Sequence, residues 1–185
     1  MKNTFAMLGA VAALVFAGCS SLPSYRWTSR VPDHLRTIRV PTFENRTMSA
    51  ELGPIVTQFV SREFQREGTF SLARASDAAI EVQGAIIKAE NHGVAFDRGY
   101  GMRASEYRYL VTAEVSIINR RTGDVLQNNR RYTAETTFLV KGDLLTGRRD
   151  AAQRIAADLA RQIVDDVISY PYNKPVNQAG TEPVG

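Results

Sequence analysis

Apolar residues recur at Leu52, Ile55, Val56, Phe59, Val60 and Phe64, a spacing of three and four that puts all six on one face of a helix over residues 49–67. Gln58, Arg62, Glu63, Gln65 and Arg66 take the other side. Pro54 is tolerated because it falls near the first turn, and Gly68 stands where a left-handed C-terminal cap is wanted. The same period returns near the end of the chain. Ala152, Ile155, Leu159, Ile163 and Val167, widened by Ala156, Ala160 and Val164, predict a helix over 148–168, with Asp150 in its first turn.

Between the two helices the period changes to two. Residues 79–87 read as a strand with Ile80, Val82 and Ile86 inward and Glu81 and Gln83 outward. Tyr107, Tyr109, Val111, Ala113, Val115 and Ile117 alternate with Arg108, Thr112, Glu114 and Ser116. Asn119-Arg120-Arg121-Thr122-Gly123-Asp124 has the composition of a hairpin turn, and residues 125–138 form the returning strand. Ahead of the first helix, residues 35–43 predict a strand that Pro41 ends or confines to an edge, followed by a turn at 44–47. Residues 70–72 are a short strand candidate, and residues 141–147 a loop. In residues 88–105 the pattern is lost, with Gly93, Gly99 and Gly101 among His92, Phe96, Arg98, Tyr100 and Arg103. Two readings stand for that segment: a functional or disordered loop, or an extended strand pair joined at a tip.

The expected fold is therefore α+β: a two-layer sandwich with two helices on one face of a four- to five-stranded, mostly antiparallel sheet. The first 34 and last 15 residues lie outside it. Met1-Lys2-Asn3 and an apolar run from Phe5 to Phe16 have the form of a signal peptide over 1–18, shorter than the roughly 20 residues that a bilayer span needs. Residues 19–34 read as a tether, 35–170 as the folded domain, and 171–185, with three prolines, as a disordered tail.

Cys19 is the only cysteine of the 185 residues, and it follows Ala17-Gly18 at the end of the apolar run. A lone cysteine forms no internal disulfide, which leaves lipidation, an intermolecular disulfide or a stray residue after an ordinary signal. Val15-Phe16-Ala17-Gly18-Cys19 resembles the lipobox of bacterial lipoproteins, with Phe16 where that pattern prefers Leu. The resemblance implies a lipid anchor on Cys19, and several acyl chains on one residue would hold the protein at a membrane essentially permanently. A single Tyr25-Arg26-Trp27 cluster lies close to that anchor.

Charge and motifs narrow the chemistry further. Hydrophobic residues at 44%, charged residues at 23% and a net charge of +4 describe an ordinary folded domain. No Walker loop, no Gly-x-Ser-x-Gly elbow and no His-Glu-x-x-His motif occurs. His34 and His92 have no ligand spacing around them, so neither metal nor cofactor is expected. Asp165-Asp166 points two carboxylates about 100 degrees apart on a helix, and a solvated face is expected there. Clustered arginines bind phosphate in a bidentate manner, which makes Arg120 and Arg121 at the hairpin turn, with Lys88, Arg98 and Arg103 on the glycine-broken segment, the candidate contacts for an anionic ligand. Nucleic acid is out of reach for an exported chain.

Five stretches carry a further resemblance: Cys19 after the signal, "LRTIRVPTFENRT" over 35–47, "REFQREGTFSLA" at the helix end, "AIEVQGAI", and "YRYLVTAEVSIINRRTGDVLQNN" over 107–129. Together they make the chain resemble the lipopolysaccharide-assembly lipoprotein family, LptE. The resemblance implies a non-enzymatic lipoprotein on the periplasmic face of the outer membrane. It implies a partner, the β-barrel translocon LptD, which such a protein plugs and helps to assemble, and contact with lipopolysaccharide during transfer. The same "V-P-x-F-x-N-x-T" stretch also resembles lipoproteins that activate peptidoglycan synthases and those that build curli-type secretion pores, which is the alternative reading.

Overall fold

A computed structural model describes residues 31–97, 103–140 and 144–172. Cys19, Arg98, the signal segment and residues 173–185 lie outside them. Among the described residues the elements run β1 (Thr37–Arg39), β2 (Glu44–Asn45), α1 (Leu52–Glu67), β3 (Ser71–Leu72), β4 (Ile80–Asp97), β5 (Arg103–Asn119), β6 (Val125–Leu139) and α2 (Leu144–Ser169), with a 3-10 turn at Asp33–Leu35.

The architecture is the expected α+β sandwich, with a larger and more mixed sheet. Six strands lie in the order β3-β1-β4-β5-β6, with β2 against β4 further along. β4, β5 and β6 form an antiparallel meander, whereas β1 pairs in parallel with β3 and β4, and β2 in parallel with β4. The three parallel segments are only two or three residues long. The turn expected at 44–47 is thus partly strand, because Glu44 and Asn45 pair with Ala85 and Ile86.

Both helical stripes are buried. Leu52, Val56, Val60 and Phe64 of α1 meet Ala152, Ile155, Leu159, Ile163 and Val167 of α2, over Ile80, Val82, Ile86, Tyr109, Val111, Ala113, Val115 and Ile117 of the sheet. Gly68 has φ +81° and its N–H donates to Phe64 O at 3.1 Å, closing α1 in the left-handed conformation that glycine reaches without strain. α2 begins at Leu144, so part of the loop expected at 141–147 is its first turn. Gly147 permits this: a Cβ there would stand 2.8 Å from Phe138 Cδ2.

Packing extends at both ends of the expected domain. Val31 is buried with the core, and Tyr172, two residues beyond 170, sets its ring 6.1 Å from Phe70 and donates to Val167 O at 2.8 Å. Residues 88–97 continue β4 and residues 103–105 open β5, so within the described residues the patternless segment is a strand pair. Its alternation is invisible because Asn91 to Val94 are exposed and no apolar face is required of them.

The "PTFENRT" stretch joins sheet to helix. Phe43 is buried between Gly53 of α1 and Gly84 of β4, and its N–H donates to Thr57 Oγ1 at 2.8 Å. Asn45 Oδ1 accepts from Thr47 N at 3.0 Å and Thr47 Oγ1 at 2.8 Å, while Asn45 Nδ2 donates to Ser49 O at 2.7 Å. These side chains shape the turn that launches α1, whose first residues carry no side-chain cap.

Candidate binding groove on the open sheet face

The helices cover one face of the sheet, and the other is polar. There, Arg39, Pro41, Thr42, Glu44, Arg46, Glu81, Gln83, Ala85, Glu114, Ser116 and Asn129 line a groove of about 420 Å³. Glu81 points outward from β4, as the alternation requires, yet its side chain is only 5% exposed because arginines lie over it. Arg39 Nη1 donates to Glu81 Oε2 at 2.9 Å, Arg120 reaches the same oxygen, and Gln83 Nε2 donates to Oε1 at 2.7 Å. Burial pushes the Glu81 pKa up, but the hydrogen bonds from Gln83, Arg120 and Arg39 outweigh it and hold the carboxyl below its ordinary range.

Two further pairs complete the floor and rim. Arg131 Nε donates to Glu114 Oε1 at 2.8 Å, and the two residues face each other across β5 and β6. Arg46 Nη2 donates to Glu44 Oε2 at 2.8 Å, an exposed pair in which the Arg46 hydrogen bond lowers the Glu44 pKa. At the far wall Asn129, with φ +45°, donates its N–H to Ser116 Oγ at 2.9 Å and marks the irregularity in β6. The groove therefore offers arginines already oriented by carboxylates. A phosphate or sugar hydroxyl entering it meets fixed donors and acceptors.

The four cationic candidates among the described residues do not converge. Arg120 follows β5, with its N–H on Ala79 O at 2.8 Å and its guanidinium on Glu81. Arg121 is exposed beside it, its N–H on Asn119 Oδ1 at 3.0 Å. Lys88 lies along β4 with Nζ 3.1 Å from Glu90 Oε2, and Arg103 starts β5 opposite Asp97 at the far end of the sheet. Arg98 is outside the described residues. Arg39, Arg46 and Arg131 are not among the five candidates named from the sequence; opposite charge at outward positions of neighbouring strands is readable for Arg39 with Glu81, but not for Arg131 with Glu114, whose register is shifted.

Asp166 departs from the solvated face expected of it. Its carboxylate accepts from Tyr132 Oη and from Gln127 Nε2 at 2.9 Å, and pairs with Arg130 Nη1 at 3.0 Å. Burial, then the adjoining carboxylate, pushes the Tyr132 hydroxyl well above its ordinary pKa. Among the described residues no three of His, Cys, Asp and Glu gather as a metal site, and no helix is long and apolar enough to cross a membrane, which says nothing of strands.

A family model for lipopolysaccharide assembly, LptE, matches residues 35–167. The chain belongs to the LptE family. The matched span of this LptE-family chain runs from the residues just before β1 to the last turns of α2. Solved structures share its fold. A Caulobacter crescentus CB15 protein classed as a lipoprotein superposes with a TM-score of 0.55 at 15% identity, covering 76% of this chain and 95% of that one. Lipoprotein B from Nitrosomonas europaea gives 0.54 at 9% identity, over 83% and 93% of the two chains. Rare lipoprotein B from Shewanella oneidensis gives 0.50 at 13%, over 74% and 97%. No curated protein matches the chain in sequence.

Proposed function

We propose that this LptE-family chain is an outer-membrane lipoprotein, held on the periplasmic face by lipid on Cys19, that partners and plugs an LptD-like β-barrel. In that place it supports assembly of the barrel and delivery of lipopolysaccharide to the cell surface. The observation that carries the reading is the family match over 35–167, which takes in every strand and nearly all of both helices. The Ala-Gly-Cys stretch at 17–19 supports the anchor, and the exposed Arg121 supplies a cation suited to a phosphorylated saccharide.

Crosslinking in intact cells tests the partner. The expected result is an adduct with one protein of outer-membrane barrel size, lost when that barrel is depleted. Recovery of a peptidoglycan synthase alone would overturn the barrel assignment in favour of the activator reading. Intact mass of the membrane-extracted protein tests the anchor, which requires residues 1–18 to be absent and acyl chains to be present on Cys19.

A further inference from the structure

The two long edges of the sheet are finished differently. Along β6, the outermost strand, Tyr170 Oη donates to Leu126 O at 2.7 Å, Gln162 Nε2 to Thr133 O at 3.2 Å and Arg154 Nη2 to Thr137 O at 3.0 Å. Side chains of α2 and of the residue after it thus occupy acceptors that an added strand would need. On the other side, β1 and β2 cover β4 only as far as Ile86, whose carbonyl accepts from Arg46 N at 2.9 Å. Beyond Ile86 no described residue pairs with that edge.

The ladder fixes which groups are open there. Ile86 directs its N–H and C=O to β2, so past the register shift that follows it Lys88 and Thr112 form a hydrogen-bonded pair, as do Glu90 with Leu110 and His92 with Arg108. Ala89, Asn91 and Gly93 therefore turn their N–H and C=O groups away from β5. Register shifts after Ile86 and after Gly93 bracket a regular stretch of ordinary strand length. Its two faces differ in what they still offer. On the open face Glu90 Oε2 already holds Lys88 Nζ and His92 Nε2, each at 3.1 Å, so those charges are used within the chain. On the helix side the edge residues are small, and two exposed apolar side chains flank them. A Cβ on Gly93 would stand 3.4 Å from Phe96 Cζ, and Phe96 is 57% exposed. Met48, fully exposed, precedes Ser49, whose hydroxyl receives Tyr109 Oη at 3.4 Å, and Tyr109 is the ladder partner of Asn91.

We propose, on the barrel reading above, that this edge takes an extended segment of the barrel chain as an added strand, lying along Ala89 to Gly93 inside the lumen. The wall strands of a closed barrel have both edges paired, so the segment comes from a loop that folds inward. Main-chain bonds to Ala89, Asn91 and Gly93 supply the affinity. Alternate side chains of the segment face the helix side and are apolar, where they cover Met48 and Phe96; those between them are polar and fall beside Lys88, Glu90 and His92. The covered β6 edge refuses the same addition, so the domain docks in one orientation.

Photocrosslinking of the full chain in intact cells tests this. A benzophenone photoprobe in place of Asn91 is expected to give an adduct of barrel mass, lost when the barrel is depleted, whose crosslinked peptide maps to a single loop of the barrel chain. The same probe in place of the exposed Gln153 of α2 reports lodging in the lumen without the edge. Proline separates backbone pairing from nearness, because the Asn91 N–H takes no part in the ladder and Asn91→Pro removes only a donor to the incoming strand. With the probe in place of His92, Asn91→Pro is expected to lower the adduct about fivefold, the worth of one hydrogen bond, while Asn91→Ala leaves it unchanged and neither alters the Gln153 adduct. An Asn91 adduct that maps to wall strands, equal adducts from Asn91→Pro and Asn91→Ala, or a barrel adduct at Gln153 alone would each overturn the proposal and leave the barrel reading standing. Absence of a barrel adduct at both Asn91 and Gln153 would overturn the two together. Circular dichroism of purified Asn91→Pro checks its fold, and the map of the Asn91 adduct decides the matter independently of that variant.

Discussion

The Phe43 ring lies directly against Gly84, where a Cβ would stand 2.1 Å from the ring's Cε1 and 2.4 Å from Cδ1. No rotation of a methyl group relieves that contact, and the other side of Phe43 is held, since a Cβ on Gly53 would stand 2.7 Å from its carbonyl oxygen. Gly84→Ala is therefore expected to destabilise the fold by about 1–3 kcal/mol through overpacking. Urea unfolding checks it: a midpoint equal to that of the unsubstituted protein would mean that β4 and the Phe43 segment separate without cost.

Glu81 links stability to pH. Its carboxyl is held below the ordinary range in the fold, so the unfolded chain binds the proton more readily than the folded one. The stabilisation is then full above the ordinary carboxylate pKa of about 4.3 and is lost as pH falls through the lower folded value. Glu81→Gln is expected to cost about 2 kcal/mol at pH 7, where Arg39 and Arg120 lose their acceptor charge, and less at pH 3. Melting temperatures from pH 3 to 7 decide the point; parallel curves for the two proteins would remove Glu81 from the pH dependence.

Tyr132 and Asp166 make an asymmetric pair. Tyr132→Phe leaves Asp166 with Gln127 and Arg130 and is expected to cost about 1 kcal/mol. Asp166→Ala takes the acceptor from a buried hydroxyl and leaves Arg130 without its partner, and about 2 kcal/mol is expected. Thermal unfolding of both variants compares them, and a larger loss for Tyr132→Phe would contradict this assignment of the bond's worth.

Arg121 is the cleaner probe of lipopolysaccharide contact. Replacing Arg120 with Glu would set a second carboxylate against Glu81 and confound binding with folding. Arg121→Glu changes an exposed side chain only and is expected to weaken binding of purified protein to lipopolysaccharide about two- to fivefold if the turn meets a phosphate. Unchanged affinity in a direct binding titration would move the contact elsewhere, with Arg39 and Arg46 of the groove next to be tested.

The helices and the inner faces of β4, β5 and β6 were legible because each buries one stripe, and burial writes a period into the sequence. Three parts were not. β1, β2 and β3 are too short for a period, and their parallel pairing depends on contacts such as Ile38 with Ile80, 42 residues apart. The outer half of β4 carries no alternation because both its faces are wet. The groove was hidden by register. Pairing Ile118 with Val125 and counting outward sets Glu114 opposite Asn129, but two shifts in β6 move it onto Arg131. A salt bridge that depends on those irregularities cannot be found by counting from the turn.

The sheet also has two unlike poles. β1 begins beside β3, and Tyr172 after α2 packs on Phe70 just ahead of β3, so both ends of the described chain emerge at one pole. The other pole is the far end of β4, 18 residues away, about 55 Å at strand rise. That lever is longer than the roughly 30 Å hydrocarbon core of a bilayer. A domain held at one membrane face by the segment before Val31, and lodged in a barrel, would carry the far end of β4 and the start of β5 beyond the opposite face.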